Sequence, residues 1–307
     1  MRLFVSIGDP NGIGLEIALR AHKEISKEAE IIYGVDSALL GEAAKRLGVA
    51  IPRDFEIAPL GLDSPINPGM ITKEAGRYSY ESFLAGIRAS KRKEADALIT
   101  LPIHKKAWNL AGIPYVGHTE ALRDLFQDEA IMMLGCPSLY VALYSDHVPL
   151  ARVPALITKA GIARFLLRFF AAIPRMESCG VLGLNPHAGD GGVLGDEERE
   201  IEAALSEVNQ KLGKEVFFGP LVPDVAFLPH FRERFRHYVA LYHDQGLIAL
   251  KLLHFEESVN ISLGLPIIRT SVDHGTAFDI AYKGANPRTQ SYQNAIKAAI
   301  ELRRNKH

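Results

Sequence analysis

The sequence predicts an α/β protein with two domains and mixed, largely parallel sheets. Three observations lead there. Short apolar runs alternate with amphipathic stretches along nearly the whole chain. Glycine-rich turns join several of those runs to the helical patterns that follow. The length of 307 residues, 48% of them hydrophobic, is enough to bury one large core or two packed ones, and two lobes are expected.

RLFVSI reads as a buried strand, with a helix from about Leu15. The turn between them, Gly8 to Gly14 (GDPNGIG), lacks the GxGxxG spacing, so it is no Rossmann signature, though it allows close backbone approach. EIIYGV then ALLGEAAKRLG, and ADALITL then HKKAWNLA, repeat the strand–helix order. KRKEAD, from Lys91, is read as a helix end that favours cations. GHTEALRDLF reads as a helix start with Thr119 as N-cap, where His118 and Thr119 can present donors to an anion. AGIARFLLRFFAAI carries Arg164 and Arg168 one turn apart and is shorter than a membrane span, so it is expected to be a core-facing helix with a solvated edge. SCGVLGL leads through NPHAGDGG, Asn185 to Gly192, into the acidic helix DEEREIEAALSEVNQKLGK.

Charge narrows the function classes. With 35 basic and 36 acidic residues the net charge is -1, so no global field favours nucleic acid or an anionic membrane, and any anion must be held by a local cluster. Cys136 and Cys179 have no CxxC or zinc-finger spacing, which fits a reducing, cytoplasmic setting. The run MRLFVSIGDP is too short for the core of a signal peptide.

Three strand-like runs end in histidine: LYVALYSDH at His147, GVLGLNPH at His187 and YVALYHD at His243, the last followed by Asp244. A single such histidine reads as a backbone hydrogen-bonding partner. If the three strands share one parallel sheet, three imidazoles at one edge make a ligand set for a catalytic divalent metal, with a position open for substrate. Asp146 and Asp244 are then partners of the histidines or general bases, although neighbours on an extended strand point to opposite faces. Downstream, Lys251, Asn260 and Arg269 surround a further strand and could hold a phosphate, arginine through its bidentate fork. NPHAGDGG also lacks the dinucleotide spacing, and Asp196, Glu197 and Glu198 would repel a pyrophosphate from the next helix, so it reads as a metal-ligand loop.

GDPNGIG, GHTE, SDHVPL, LNPHAGDGG, YHDQGL and NISLGLPIIRTSVDHGTAFDIA, in this order over nearly the whole chain, resemble the 4-hydroxythreonine-4-phosphate dehydrogenase family of the pyridoxal phosphate pathway. The resemblance implies a fold like the isocitrate and isopropylmalate dehydrogenases, not a Rossmann domain. It implies a first domain of residues 1–125 plus 270–307 and a second of 126–269 that carries the metal ligands and dimer contacts. It further implies an obligate homodimer with the active site in the cleft between domains, near the partner subunit. The metal ligands would be His147, His187 and His243, drawn from both subunits, and the substrate contacts His118, Thr119, Lys251, Asn260 and Arg269. TLPIHKKAW departs from the family's TGPINK-like segment at Leu101 and His104, so a role for Lys105 carries over less firmly.

The implied reaction is NAD-dependent (or NADP-dependent) oxidation and decarboxylation of 4-phosphohydroxy-L-threonine to 3-amino-1-hydroxyacetone phosphate. It would use one divalent ion: zinc, magnesium, cobalt or manganese. Asp244, Asp224 and Lys251 are the expected catalytic groups, and the dinucleotide contacts are not located. The alternatives are a dehydrogenase of 4-phospho-threonate or 4-phospho-erythronate, a metallohydrolase, and a non-catalytic metal or nucleotide-binding module.

Overall fold

The computed structural model describes residues 1–305. Positions 306 and 307, the end of the expected 270–307 segment, lie outside the described residues. Contacts divide the chain into one unit of Met1–Ala130 with Val259–Asn305 and a second of Ile131–Ser258.

The first segment runs β1 (Arg2–Ser6), α1 (Gly14–Ile25), β2 (Glu30–Gly34), α2 (Ser37–Leu47), β3 (Glu56–Ile57), α3 (Lys73–Lys91), β4 (Ala97–Thr100), α4 (Lys105–Leu110) and α5 (His118–Phe126). The middle segment runs β5 (Ile131–Cys136), β6 (Leu139–Leu143), α6 (Lys159–Ala172), β7 (Cys179–Leu182), α7 (Glu197–Leu212), β8 (Phe217–Leu221), α8 (Pro229–Arg234), β9 (His237–Ala240) and α9 (His243–His254). The chain then returns to the first unit with β10 (Val259–Leu263), β11 (Arg269–Val272) and α10 (Gln290–Asn305).

In the first unit the strand order is β3-β2-β1-β4-β11-β10. All neighbours are parallel except β10, which runs antiparallel to β11 with Asn260 opposite Ser271 and Ser262 opposite Arg269. Helix α3 packs on β1, β2 and β4, and α10 packs on β4, β10 and β11. Phe4, Phe83, Leu98, Trp108 and Leu122 form a core cluster. Helix α3 starts where the Thr72 hydroxyl accepts from the Ala75 amide at 3.2 Å, and it ends with Arg88 and Lys91 against the negative end of its dipole.

In the second unit the order is β5-β6-β9-β7-β8, with β5 and β6 antiparallel and the rest parallel. Leu139, Val141, Leu182, Phe235, Tyr238 and Leu247 fill its core. Helix α6 is capped by Thr158 and buries Ile162, Leu166 and Phe169 while Arg164 stays exposed, which is the solvated-edge helix the sequence predicts. The architecture is α/β with mixed, mostly parallel pairing, as expected. No helix of the described residues is long and apolar enough to cross a membrane.

Candidate active site

Strands β6, β9 and β7 are parallel neighbours, so their carboxyl ends open on one edge of the second unit. His147 lies in the loop after β6 and is exposed. His243 does not end a strand as the YVALYHD pattern suggests. Strand β9 stops at Ala240, and His243 and Asp244 are the first two residues of α9. On a helix, neighbouring side chains do not point to opposite faces, and the two meet: His243 Nδ1 and Asp244 Oδ1 are 2.7 Å apart. That contact orients the ring and leaves Nε2 available as a ligand atom.

The rings of His147 and His243 are 5.9 Å apart between centroids. Two imidazoles on one ion need about 5–6 Å, given metal–nitrogen bonds of ~2.0–2.1 Å, so this pair can share a cation. Among the described residues, His187 is in no group of three possible ligand atoms that all lie within 4.8 Å of one another. Among the described residues, the three-member group of possible ligands with all ligand atoms within 4.8 Å is Cys136, His254 and Glu257, which contains none of the expected ligands.

His187 begins a run of left-handed backbone: φ is 53° at His187, 51° at Ala188, 77° at Gly189, 44° at Asp190 and 65° at Gly191. Three of these residues are not glycine, so the turn must be held from outside. Glu198, buried in the first turn of α7, does so: its Oε1 accepts from the amides of Leu184 and Asn185, each at 2.8 Å. Gly189 has no room for a side chain, because a Cβ there would stand 2.6 Å from Glu198 Oε2. The acidic start of α7 thus braces the loop that carries His187.

Arg269 is 3% exposed at the head of β11, and burial pushes its guanidinium down to about 9. Among the described residues its hydrogen-bond partners are hydroxyls alone: Thr100 Oγ1 accepts from Nε at 3.2 Å and Nη2 at 2.7 Å, and Ser262 Oγ accepts from Nη1 at 3.2 Å. Nearby, His118 packs on Phe83 and Trp108, and its Nε2 is buried with no partner. Burial, then the Arg269 charge, holds His118 well below the usual histidine range, so it is neutral. Asn260 Oδ1 is also buried and unpartnered. A cation paired only with hydroxyls, beside groups with spare hydrogen-bonding capacity, is chemistry suited to an anion. Thr100 and Ser262 escape a reading of the sequence. The signals were the polar end of ALIT and the same-face spacing of Ser262 from Asn260.

Thr119 is not the cap of α5. The N-cap is Gly117, and Thr119 sits inside the first turn, where Glu120 Oε2 reaches back to the Val116 amide at 2.6 Å. Lys251 lies on α9 with Nζ 5.6 Å from the centre of the Phe255 ring, and Asp224 is exposed in the turn after β8. The glycines of GDPNGIG serve internal packing. A Cβ at Gly8 would stand 2.2 Å from Pro102 O, and one at Gly14 would stand 2.2 Å from Ile7 O. Beside them Asp9 Oδ2, His104 Nδ1 and His274 Nε2 are buried without partners and are available to a polar ligand of the first unit. Burial, against one hydrogen bond from the Asn11 amide, raises the Asp9 carboxyl to about 7.

Residues 14–299 match the family described as pyridoxal phosphate biosynthetic protein PdxA. The chain belongs to this family. A 4-hydroxythreonine-4-phosphate dehydrogenase of Sulfurimonas denitrificans is 52% identical over 98% of this chain and 98% of its own. The crystal structure of a 4-hydroxythreonine-4-phosphate dehydrogenase from Burkholderia phymatum superposes with a TM-score of 0.82 at 32% identity, covering 98% of each chain. An isocitrate dehydrogenase from Methylococcus capsulatus shares the fold, with a TM-score of 0.50 at 15% identity over 98% of this chain and 84% of that one. The expectation of an enzyme is met by these relatives, which are named as dehydrogenases. The expectation of an isocitrate dehydrogenase-like fold is met as well.

Proposed function

We propose that this PdxA-family chain oxidises and decarboxylates 4-phosphohydroxy-L-threonine to 3-amino-1-hydroxyacetone phosphate with NAD or NADP and one divalent ion. The observation that carries the reading is buried Arg269, whose charge meets only the hydroxyls of Thr100 and Ser262. With Asn260 and neutral His118 it would hold an anionic group of the substrate, and Lys251 is proposed as a further substrate contact.

His147, His187 and His243 would hold the ion, which when bound supplies Lewis acidity at the substrate hydroxyl and at the carbonyl that replaces it. A bound nicotinamide would supply the hydride acceptor for oxidation at the hydroxyl-bearing carbon, and the β-keto acid product would lose carbon dioxide. Asp244 is engaged with His243 and so serves to orient that ring. Exposed Asp224 is then the better assignment for the base that takes the hydroxyl proton.

Two features support a homodimer. Among the described residues the three histidines do not form a group with all ligand atoms within 4.8 Å of one another, and a second copy would complete the ligand set. Helix α9, which begins with His243, and its C-cap residue expose the apolar side chains Ile248 (68%), Leu252 (86%) and Phe255 (61%). Both cysteines are free and buried, which suits the cytoplasm.

The test is reduced-nicotinamide absorbance on mixing the protein with 4-phosphohydroxythreonine, a divalent metal and NAD or NADP, with 4-phospho-threonate run in parallel. Turnover of the amino acid phosphate with cofactor reduction supports the reading. Preference for the sugar acid, or metal-dependent turnover without cofactor reduction, overturns it.

A further inference from the structure

We infer that Ser145, Gln245 and Glu198 form one hydrogen-bonded strap that positions the three histidines; this rests on reading those histidines as metal ligands. The sheet ladder of the second unit ends at Leu143 opposite Ala240 on one side of β9 and at Val181 opposite Val239 on the other. Side chains carry the bonding on from there. The Ser145 hydroxyl donates to Leu241 O at 2.6 Å, and the Ser145 amide donates to the same oxygen at 3.2 Å. The Leu241 amide donates to Gln245 Oε1 at 2.7 Å, and Gln245 Nε2 donates to Gly183 O at 2.7 Å. The next two amides, of Leu184 and Asn185, donate to Glu198 Oε1, and Asn185 Nδ2 donates to Glu198 Oε2 at 2.9 Å.

The strap touches each histidine-bearing segment at the same remove. Ser145 stands two residues before His147, Asn185 two before His187, and Gln245 two after His243. Ser145 and Glu198 are buried. The chemistry of the middle link is specific. The carboxamide accepts from Leu241 N and donates to Gly183 O at once; an ionised glutamate of the same length would face that carbonyl without a proton, and an apolar isostere would release both strands. Groups that orient metal-binding side chains typically change affinity by ten- to a hundred-fold when removed. Gln245 is therefore a positioning residue, acting through backbone that leads to His147, His187 and His243.

The test is equilibrium dialysis of the full-length protein against cobalt(II), with the visible spectrum of the bound ion as a second readout. Gln245→Met is expected to raise the dissociation constant at least about ten-fold and to alter the cobalt spectrum. Ser145→Ala, which deletes one hydroxyl, is expected to shift both in the same direction by less. Asn209→Ala is the control: it removes the Asn209 contacts to Phe217 O and to the amides of Val216 and Phe217, at the other end of β8. It should lower the melting temperature without changing cobalt affinity. Wild-type affinity and spectrum in both Gln245→Met and Ser145→Ala, or an equal loss in Asn209→Ala, overturns the strap. His187→Ala separates the two ideas. If it binds cobalt like the wild type, the ligand reading itself fails; if it loses cobalt while Gln245→Met does not, only the strap fails.

Discussion

The guanidinium of Arg269 closes on the hydroxyl of Thr100 through two nitrogens, Nε at 3.2 Å and Nη2 at 2.7 Å, and among the described residues no carboxylate pairs with it. A desolvated charge left to hydroxyls raises the free energy of the empty protein, and a bound anion relieves it.

Inorganic phosphate should therefore raise the melting temperature, by the equivalent of about 2.7 kcal/mol at a hundred times its dissociation constant. Arg269→Met should abolish that rise and increase KM for the phosphorylated substrate steeply. Thermal scans across a phosphate series check this. A full phosphate response in the variant would move the anion away from Arg269.

His187→Ala should lose the metal and turnover while unfolding within about 0.5 kcal/mol of the wild type, because the side chain is exposed. Metal analysis of the purified variant, beside its denaturant midpoint, reads both effects. Full metal content with normal turnover would refute the ligand assignment.

Asp9 gives a pH prediction. Its carboxyl is raised from 3.8 to about 7 by burial, so between those values the folded protein keeps a proton that the unfolded chain has lost. Stability then falls as pH rises from about 4 to about 7, by on the order of 4 kcal/mol for this group, and levels off above. Asp9→Asn removes the titration, so its denaturation free energy should fall less over that window and exceed the wild type's at neutral pH. Parallel pH curves for the two proteins would count against a buried, protonated Asp9.

If the proposed dimer uses the exposed apolar face of α9, Leu252→Asp should turn a dimeric wild type into a monomer in sedimentation velocity and depress turnover with it. A dimer that survives the charge with full activity would place the interface elsewhere.

The alternation of apolar runs and helices was legible because burial imposes it on each segment separately. Strand direction was not. IMMLGC and LYVAL are apolar throughout, and a fully buried strand carries no mark of whether its neighbour runs with or against it, so the antiparallel β5–β6 pair stays hidden. His147, His187 and His243 could be singled out because each follows a strand's carboxyl end within a few residues. The contacts around Arg269 were not, because Thr100 lies 169 residues away along the chain. His243 was placed on a strand because apolar runs do not show where a ladder ends. Thr119 was taken for a cap because the glycine before His118 offers no side chain to signal one.

The first unit is made from two separated stretches of chain, and the second from one unbroken stretch between them. On the ribosome, Ile131–Ser258 is therefore complete while β10 and β11, which finish the first unit's strand order, are still untranslated. Translation thus finishes the unbroken stretch that carries His147, His187 and His243 before it reaches Arg269, and the first unit's sheet is the last part of the chain to be supplied.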